Sequence, residues 1–135
     1  MPRGISTAVG EVATRHPLCV QRDTTVLEAS KLMRICQVGE LVVVEDPQGP
    51  LMPIGVVSAR DIVTRILAPG LDPAIFTVGD IVWSGGRRAK VTDSLSHTLG
   101  LLEKSPTDAL PVIDDDGSLA GVISLNAVLL ALGKM

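Results

Sequence analysis

The segment Gly55-Val56-Val57-Ser58-Ala59-Arg60-Asp61 places a hydroxyl, a guanidinium and a carboxylate within four residues, directly after an apolar β-branched run. At such a strand-to-helix junction, Ser58 is a helix cap and Asp61 a carboxylate well placed near the N-terminal end of the helix dipole. The same residues suit an anion, because the free N–H groups of a helix start favour negative charge. Arg60 adds a planar fork that fits phosphate oxygens. Spacing alone favours the capping role, and the two roles are partly compatible. A second copy of the segment, Gly121-Val122-Ile123-Ser124-Leu125-Asn126-Ala127, carries Ala127 where Asp61 stands. Asn126 is no substitute, since adjacent helical residues project about 100° apart. Two sites built on these segments are therefore unequal. Arg87 and Arg88 form a small basic pair after Gly85-Gly86, suited either to phosphates or to a solvated loop. Trp83, the single Trp, is read as a core or interface residue.

Other chemistry finds no pattern. His16 and His97 stand without nearby Cys, His or Asp at ligand spacing, so no metal site is expected. Asp114-Asp115-Asp116 is followed at once by Gly117 and reads as a hairpin turn rather than a calcium loop. Gly85-Gly86 precedes no Lys-Ser/Thr pair, which removes a P-loop. No Ser/His/Asp arrangement is identifiable, and no catalytic residue is assigned.

The elements that hold these residues occur twice. Residues 9–46 realign on 78–115 at a constant offset of 69, and Gly55-Val56-Val57-Ser58 then matches Gly121-Val122-Ile123-Ser124 at an offset of 66. The difference falls in the Pro/Gly-rich stretch 47–53, where a loop absorbs it. In the first copy, a strand at 17–20 precedes a capping box at Thr25 and Glu28. Val26, Ala29, Leu32, Met33 and Cys36 then follow at helical spacing, with Cys36 on the apolar face and Gly39 as the stop. Strands are expected at 41–44 and 54–57 and a helix at 59–67, ended by Pro69-Gly70. The second copy repeats the order with strands at 88–91, 110–113 and 119–123 and helices at 95–104 and 126–132. The unit is β-α-β-β-α, and the fold class is α/β (α+β). The boundaries read as an N-terminal extension 1–8, a first repeat 9–67, a linker 68–77 and a second repeat 78–135. A copy of about 60 residues buries too little apolar surface to be comfortable alone, so the two are expected to share a core along a pseudo-two-fold cleft.

Composition narrows the partners. Apolar residues make up 46% of the 135, yet no run approaches the roughly 18 residues a membrane span needs. A net charge of −3 without a basic stripe, and an aromatic share of 1%, argue against a nucleic-acid surface. No secretory signal is evident and Cys19 and Cys36 form no CxxC, so reduced thiols and a cytoplasmic location are expected.

Element order and particular residues together resemble a tandem pair of CBS domains, a Bateman module. The matching pieces are Val9-Gly10-Glu11-Val12 with Val78-Gly79-Asp80-Ile81, Asp23-Thr24-Thr25-Val26-Leu27-Glu28-Ala29, Leu110-Pro111-Val112-Ile113-Asp114 and above all Gly55 to Asp61. The resemblance implies two repeats packed sheet to sheet and a regulatory module that takes an adenosine-containing ligand, of the AMP, ADP, ATP or S-adenosylmethionine type, between them. It implies that Asp61 holds the ribose while Ser58 and Arg60 face phosphate, with Thr107, Asp108 and Ala109 and the wall around Arg87 completing that site. A weaker site would use Leu18, Val38, Gly39 and Ser124, with no carboxylate for the ribose. Implied partners are a second copy of the chain, through helices 26–37 and 95–104 with Leu27 and Leu99 outward, and an effector that the sequence does not identify. The competing reading is a ligand-free dimeric scaffold.

Overall fold

A computed structural model describes residues 7–46, 48–83 and 87–133. The Gly85-Gly86 loop and most of the expected N-terminal extension lie outside the described residues. The chain divides into two compact bodies that do not follow the two sequence copies. One gathers residues 18–83; the other joins residues 7–17 to 87–133. The leading segment of each copy thus folds with the other copy's strands.

In the first body, β2 (Cys19–Gln21), β3 (Glu40–Val44) and β4 (Pro53–Ser58) form a three-stranded sheet in that order, β2 parallel and β4 antiparallel to β3. Leu41 to Val44 are all fully buried, as a continuous β-branched run requires when both faces of a strand are covered. Helix α1 (Val26–Cys36) starts at the expected capping box: Thr25 Oγ1 accepts from the Glu28 amide at 3.0 Å, and Glu28 Oε1 accepts from the Thr25 amide at 3.1 Å. These bonds from Thr25 hold the Glu28 carboxyl below its usual pKa. Because the folded pKa is depressed, this contribution to stability is present above the unfolded value and is lost as pH falls. The helix buries Val26, Ala29 and Met33. It ends at Gln37, which takes the left-handed conformation (φ 56) and donates its amide to Met33 O, so Gly39 is not the stop. Cys36 is exposed rather than in the core. It is the final helical residue, where the chain turns away, and the buried stripe stops one turn earlier at Met33.

After β4 comes a short helix α2 (Ala59–Ile62) that continues as a π-helical turn over Val63–Leu67. Its wide bonds run from Ala68 N to Val63 O at 2.8 Å and from Leu71 N to Ile66 O at 2.9 Å. Helix α3 (Val78–Ile81) completes this body by burying Val78 and Ile81 in the cluster that holds Val26, Leu41, Val57 and Ile66.

The second body is a four-stranded sheet in the order β1 (Thr14–Arg15), β7 (Leu119–Ser124), β6 (Ala109–Ile113), β5 (Ala89–Lys90). Helices α4 (Leu95–Glu103) and α5 (Leu125–Gly133) and a 3-10 turn at Val9–Glu11 accompany it. Asp114 to Gly117 form the expected hairpin turn: Gly117 takes φ 85 and Asp116 Oδ1 accepts from the Ser118 amide and hydroxyl. Leu99 is half-buried against the core rather than outward, because it lies four residues after Leu95 and three before Leu102, on their face.

The exchanged segments are held by the same bonds in both bodies. Val9 N donates to Asp93 O and Gly10 N to Val91 O; sixty-nine residues on, Val78 N donates to Thr24 O and Gly79 N to Arg22 O. Glycine permits the approach. A Cβ on Gly79 would stand 2.7 Å from Arg22 O and one on Gly121 2.5 Å from Thr14 O, while one on Gly55 would press into Trp83 O.

Gly55→Ala and Gly121→Ala are each expected to cost about 1–3 kcal/mol, the range for forced overpacking. Gly100, inside α4, has open space around its Cβ position. There Gly100→Ala should stabilise by about 0.5–1 kcal/mol. Urea denaturation midpoints of the three variants check both signs.

Candidate functional site

Each body brings chemistry-bearing residues to one end of its sheet. In the first, antiparallel pairing sets Glu40 opposite Ser58, and the Ala59 amide donates to Gly39 O at 2.9 Å. The Val42 amide donates to Leu18 O at 2.9 Å, which brings Leu18 to the same end. Leu18, Val38, Gly39, Ser58, Arg60 and Asp61 therefore gather around the start of α2. In the second body, Ala109 pairs with Ser124 and the Leu125 amide donates to Asp108 O at 2.7 Å. Thr107, Asp108, Ala109 and Ser124 thus surround the start of α5. Arg87 enters this end too, two residues before β5, which runs parallel to β6. The residues expected to form the stronger site divide between the bodies: Ser58, Arg60 and Asp61 in one, Thr107 to Ala109 and Arg87 in the other.

The helix-start chemistry is realised in full only once. Ser58 Oγ accepts from the Asp61 amide at 3.1 Å, and Asp61 Oδ2 accepts from the Ser58 amide at 2.9 Å, a reciprocal box. Ser58 and Asp61 are half-buried and Arg60 is exposed. Asp61 Oδ1 has no hydrogen-bond partner among the described residues. Capping thus occupies one carboxylate oxygen, so the structural role does not exhaust the acceptor capacity of Asp61. At the second start, Ser124 Oγ accepts from the Ala127 amide at 3.1 Å, and Ala127 returns nothing.

Arg87 is drawn toward a helix C-terminus: its guanidinium donates to Lys104 O, the cap carbonyl of α4. Thr107 is fixed by its own loop, with its hydroxyl donating to Ala109 O at 2.8 Å and 3.0 Å from Ser105 Oγ. Trp83 is half-buried, its carbonyl against Gly55. Sequence reasoning missed Glu40, a half-buried carboxylate that stands opposite Ser58 and has Ala109 as its counterpart in the other copy. The substitution of an acid for a methyl group at matched positions of the two copies was the available signal. A cavity of about 480 Å³ beside β2 and α1, lined by Cys19, Val20, Lys31 and Leu32 among others, contains none of the expected site residues. Burial pushes the Cys19 thiol pKa up, away from a reactive thiolate. Among the described residues no three His, Cys, Asp or Glu side chains come together as a metal-binding group, and no helix is long and apolar enough to cross a membrane.

Comparison with known proteins gives these features a lineage. The family model for the CBS domain matches residues 9–68 and 75–134. An uncharacterized protein of Methanopyrus kandleri is 27% identical over 124 residues, covering 92% of this chain and 62% of that protein. The chain spans only 15–22% of three further curated relatives. Among solved structures, an uncharacterized conserved protein from Pyrococcus horikoshii superposes with a TM-score of 0.80 at 27% identity, covering 94% of this chain and 92% of the other. CBSX2 in complex with AMP superposes with a TM-score of 0.73 at 25% identity, covering 95% and 97%. With two family matches in tandem over nearly all the chain, and the segment Gly55 to Ser58 repeated at Gly121 to Ser124 in step with them, the protein belongs to the CBS-domain family as a tandem pair, a Bateman module.

Proposed function

We propose that the protein is a regulatory module that binds an adenosine-containing ligand at the start of α2 and passes its occupancy to a partner protein. The observation that carries this reading is the Asp61 carboxylate, anchored through one oxygen by the Ser58 amide and open at the other among the described residues. A ribose presents two vicinal hydroxyl donors, and a carboxylate is the acceptor that answers both with charge-assisted bonds. Ser58 and Arg60 lie on the phosphate side, and Thr107, Asp108, Ala109 and Arg87 are the proposed further contacts. AMP bound to CBSX2, a structural neighbour over nearly its whole length, supports the ligand class. The start of α5, with Ser124 but no carboxylate, is the proposed weaker position, and Leu18, Val38 and Gly39, which lie in the other body, are the further contacts proposed for it.

Self-association is part of the same proposal. Val63, Leu67 and Ile75 are 52%, 52% and 72% exposed in one body, and Leu129 and Leu130 are 49% and 58% exposed in the other. Val63 and Leu129 are matched positions, so each copy presents apolar surface there, and the first copy adds Leu27. A homodimer that covers such surface is the default closed assembly. This exposure equally favours the second reading, a dimeric scaffold without ligand.

Thermal melting with AMP, ADP, ATP and S-adenosylmethionine separates the two. A ligand at 100 times its dissociation constant adds about 2.7 kcal/mol to the folded state, and no shift with any of the four favours the scaffold. In calorimetry the chain should show about one strong site. Asp61→Ala removes two charge-assisted bonds at about 1.5–3 kcal/mol each. Even the low end weakens binding more than about tenfold. Equal affinity in wild type and Asp61→Ala would sink the assignment.

Ser58→Ala should lower stability by about 0.5–2 kcal/mol through the lost cap alone. For Thr107→Val, loss of affinity at unchanged melting temperature would support its ligand role. Light scattering at micromolar concentration reads the dimer, and Val63→Lys with Leu129→Lys should dissolve it.

A further inference from the structure

We propose that Arg65 is a positioning residue that exchanges between two acceptors, the Ile81 carbonyl and the Asp61 carboxylate, so that a ligand on Asp61 locks the segment Val78 to Trp83 in place. This rests on the reading that Asp61 holds the ligand. Asp61 and Arg65 are four residues apart, a spacing at which a carboxylate and a guanidinium on one α-helix face attract each other. They form no ion pair in the structure: the guanidinium of Arg65 donates to Ile81 O, the last carbonyl of α3. Arg65 sits within the π-helical turn over Val63–Leu67, which begins two residues after Asp61. Such turns are frequent at functional sites.

The second copy supplies the comparison. At the positions of Asp61 and Arg65 it carries Ala127 and Ala131, and there α5 runs as a regular helix over Leu125–Gly133. Carboxylate, arginine and π-turn occur together in one copy and are absent together from the other.

Arg65 therefore faces a choice. With Asp61 empty, the carboxylate competes for the guanidinium and weakens the clamp on Ile81. With hydroxyl donors on Asp61, the carboxylate is occupied and Arg65 stays on Ile81. The clamped segment is held at its other end by Val78 N to Thr24 O and Gly79 N to Arg22 O, and its far end places Trp83 O against Gly55. Occupancy thus becomes order in a segment that leads from one body of the fold to the other, through differential affinity alone.

Amide hydrogen exchange on the full chain tests this, read at Gly79 and at Val82, whose amide donates to Val78 O at 2.8 Å. Trp83 emission is a parallel readout. Saturating ATP, and AMP in parallel, should slow exchange at both amides in wild type by on the order of twofold, the scale of a four-residue ion pair. Arg65→Met should exchange faster at both amides, show no nucleotide response there, and bind nucleotide no more weakly than wild type. A nucleotide-dependent slowing that survives in Arg65→Met overturns the relay, and a tenfold loss of affinity makes Arg65 a ligand contact instead. Asp61→Asn keeps the cap but removes the competing charge, so without nucleotide it should slow exchange to the same degree. Unchanged exchange in that variant overturns the exchange of partners. If wild type binds neither nucleotide, the ligand reading fails while Asp61→Asn still decides the Arg65 exchange.

Discussion

The Trp83 carbonyl lies where a side chain on Gly55 would have to be, and the Thr14 carbonyl lies likewise over Gly121. The rest of the structure depends on these two approaches. A strand residue without a Cβ admits a backbone oxygen at a distance that any other residue forbids. In both bodies the oxygen belongs to the leading segment of the other sequence copy, and the contacts obey the same offset: Thr14 and Trp83 are 69 residues apart, as are Val91 and Arg22. Each copy is too small to bury its own core comfortably. Completing each body with a segment of the other copy removes the choice of folding separately. Val9 buries itself among Ala89, Leu95 and Ile123, and Val78 among Val26, Leu41 and Ile66.

A duplicated frame held this tightly leaves divergence to the residues that the frame does not use. The strand pairing repeats even to its irregularity, which falls between Val43 and Val44 in one copy and at the matched step, between Val112 and Ile113, in the other. The helix starts do not repeat. Asp61 faces Ala127 in the alignment of the copies, Arg65 faces Ala131, Glu40 faces Ala109 and Leu18 faces Arg87. All four differences lie at the sheet end or on the helix that follows it, and each exchanges a charged group for an apolar one. The first helix start thus carries an acid that accepts a hydrogen bond, and the second carries none at the matched position.

Much of this was legible in the sequence because it is local. The Thr25 and Glu28 box, the buried run Leu41 to Val44 and the Ser58 cap each depend on residues within a few positions, and the structure forms all three. The segment exchange was not legible, since its partners lie far apart in the chain, Val9 with Asp93 and Val78 with Thr24, and the repeats read as contiguous. Nor was the fate of Cys36, whose helical angle is apolar but whose place at the last residue of α1 puts it past the buried stripe. Gly39 misled as a helix stop because Gln37 took the left-handed turn first. The pull of Arg87 toward the Lys104 carbonyl and of Arg65 toward Ile81 came from long side chains that reach across the fold, where spacing along the chain says nothing.

The apparent rivalry between cap and binding site at Ser58 and Asp61 dissolves on counting acceptor positions. A carboxylate offers about four lone-pair directions on two oxygens. The Ser58 amide takes one on Oδ2. That bond holds the side chain in one rotamer, so a ligand taken up there would be spared the cost of ordering it. Its reciprocal half, the Asp61 amide donating to Ser58 Oγ, holds the backbone that carries the carboxylate. At the second start the Ser124 hydroxyl performs the same backbone service for Ala127, with nothing on the side chain to present. The backbone cap therefore repeats at the second helix start while the carboxylate does not.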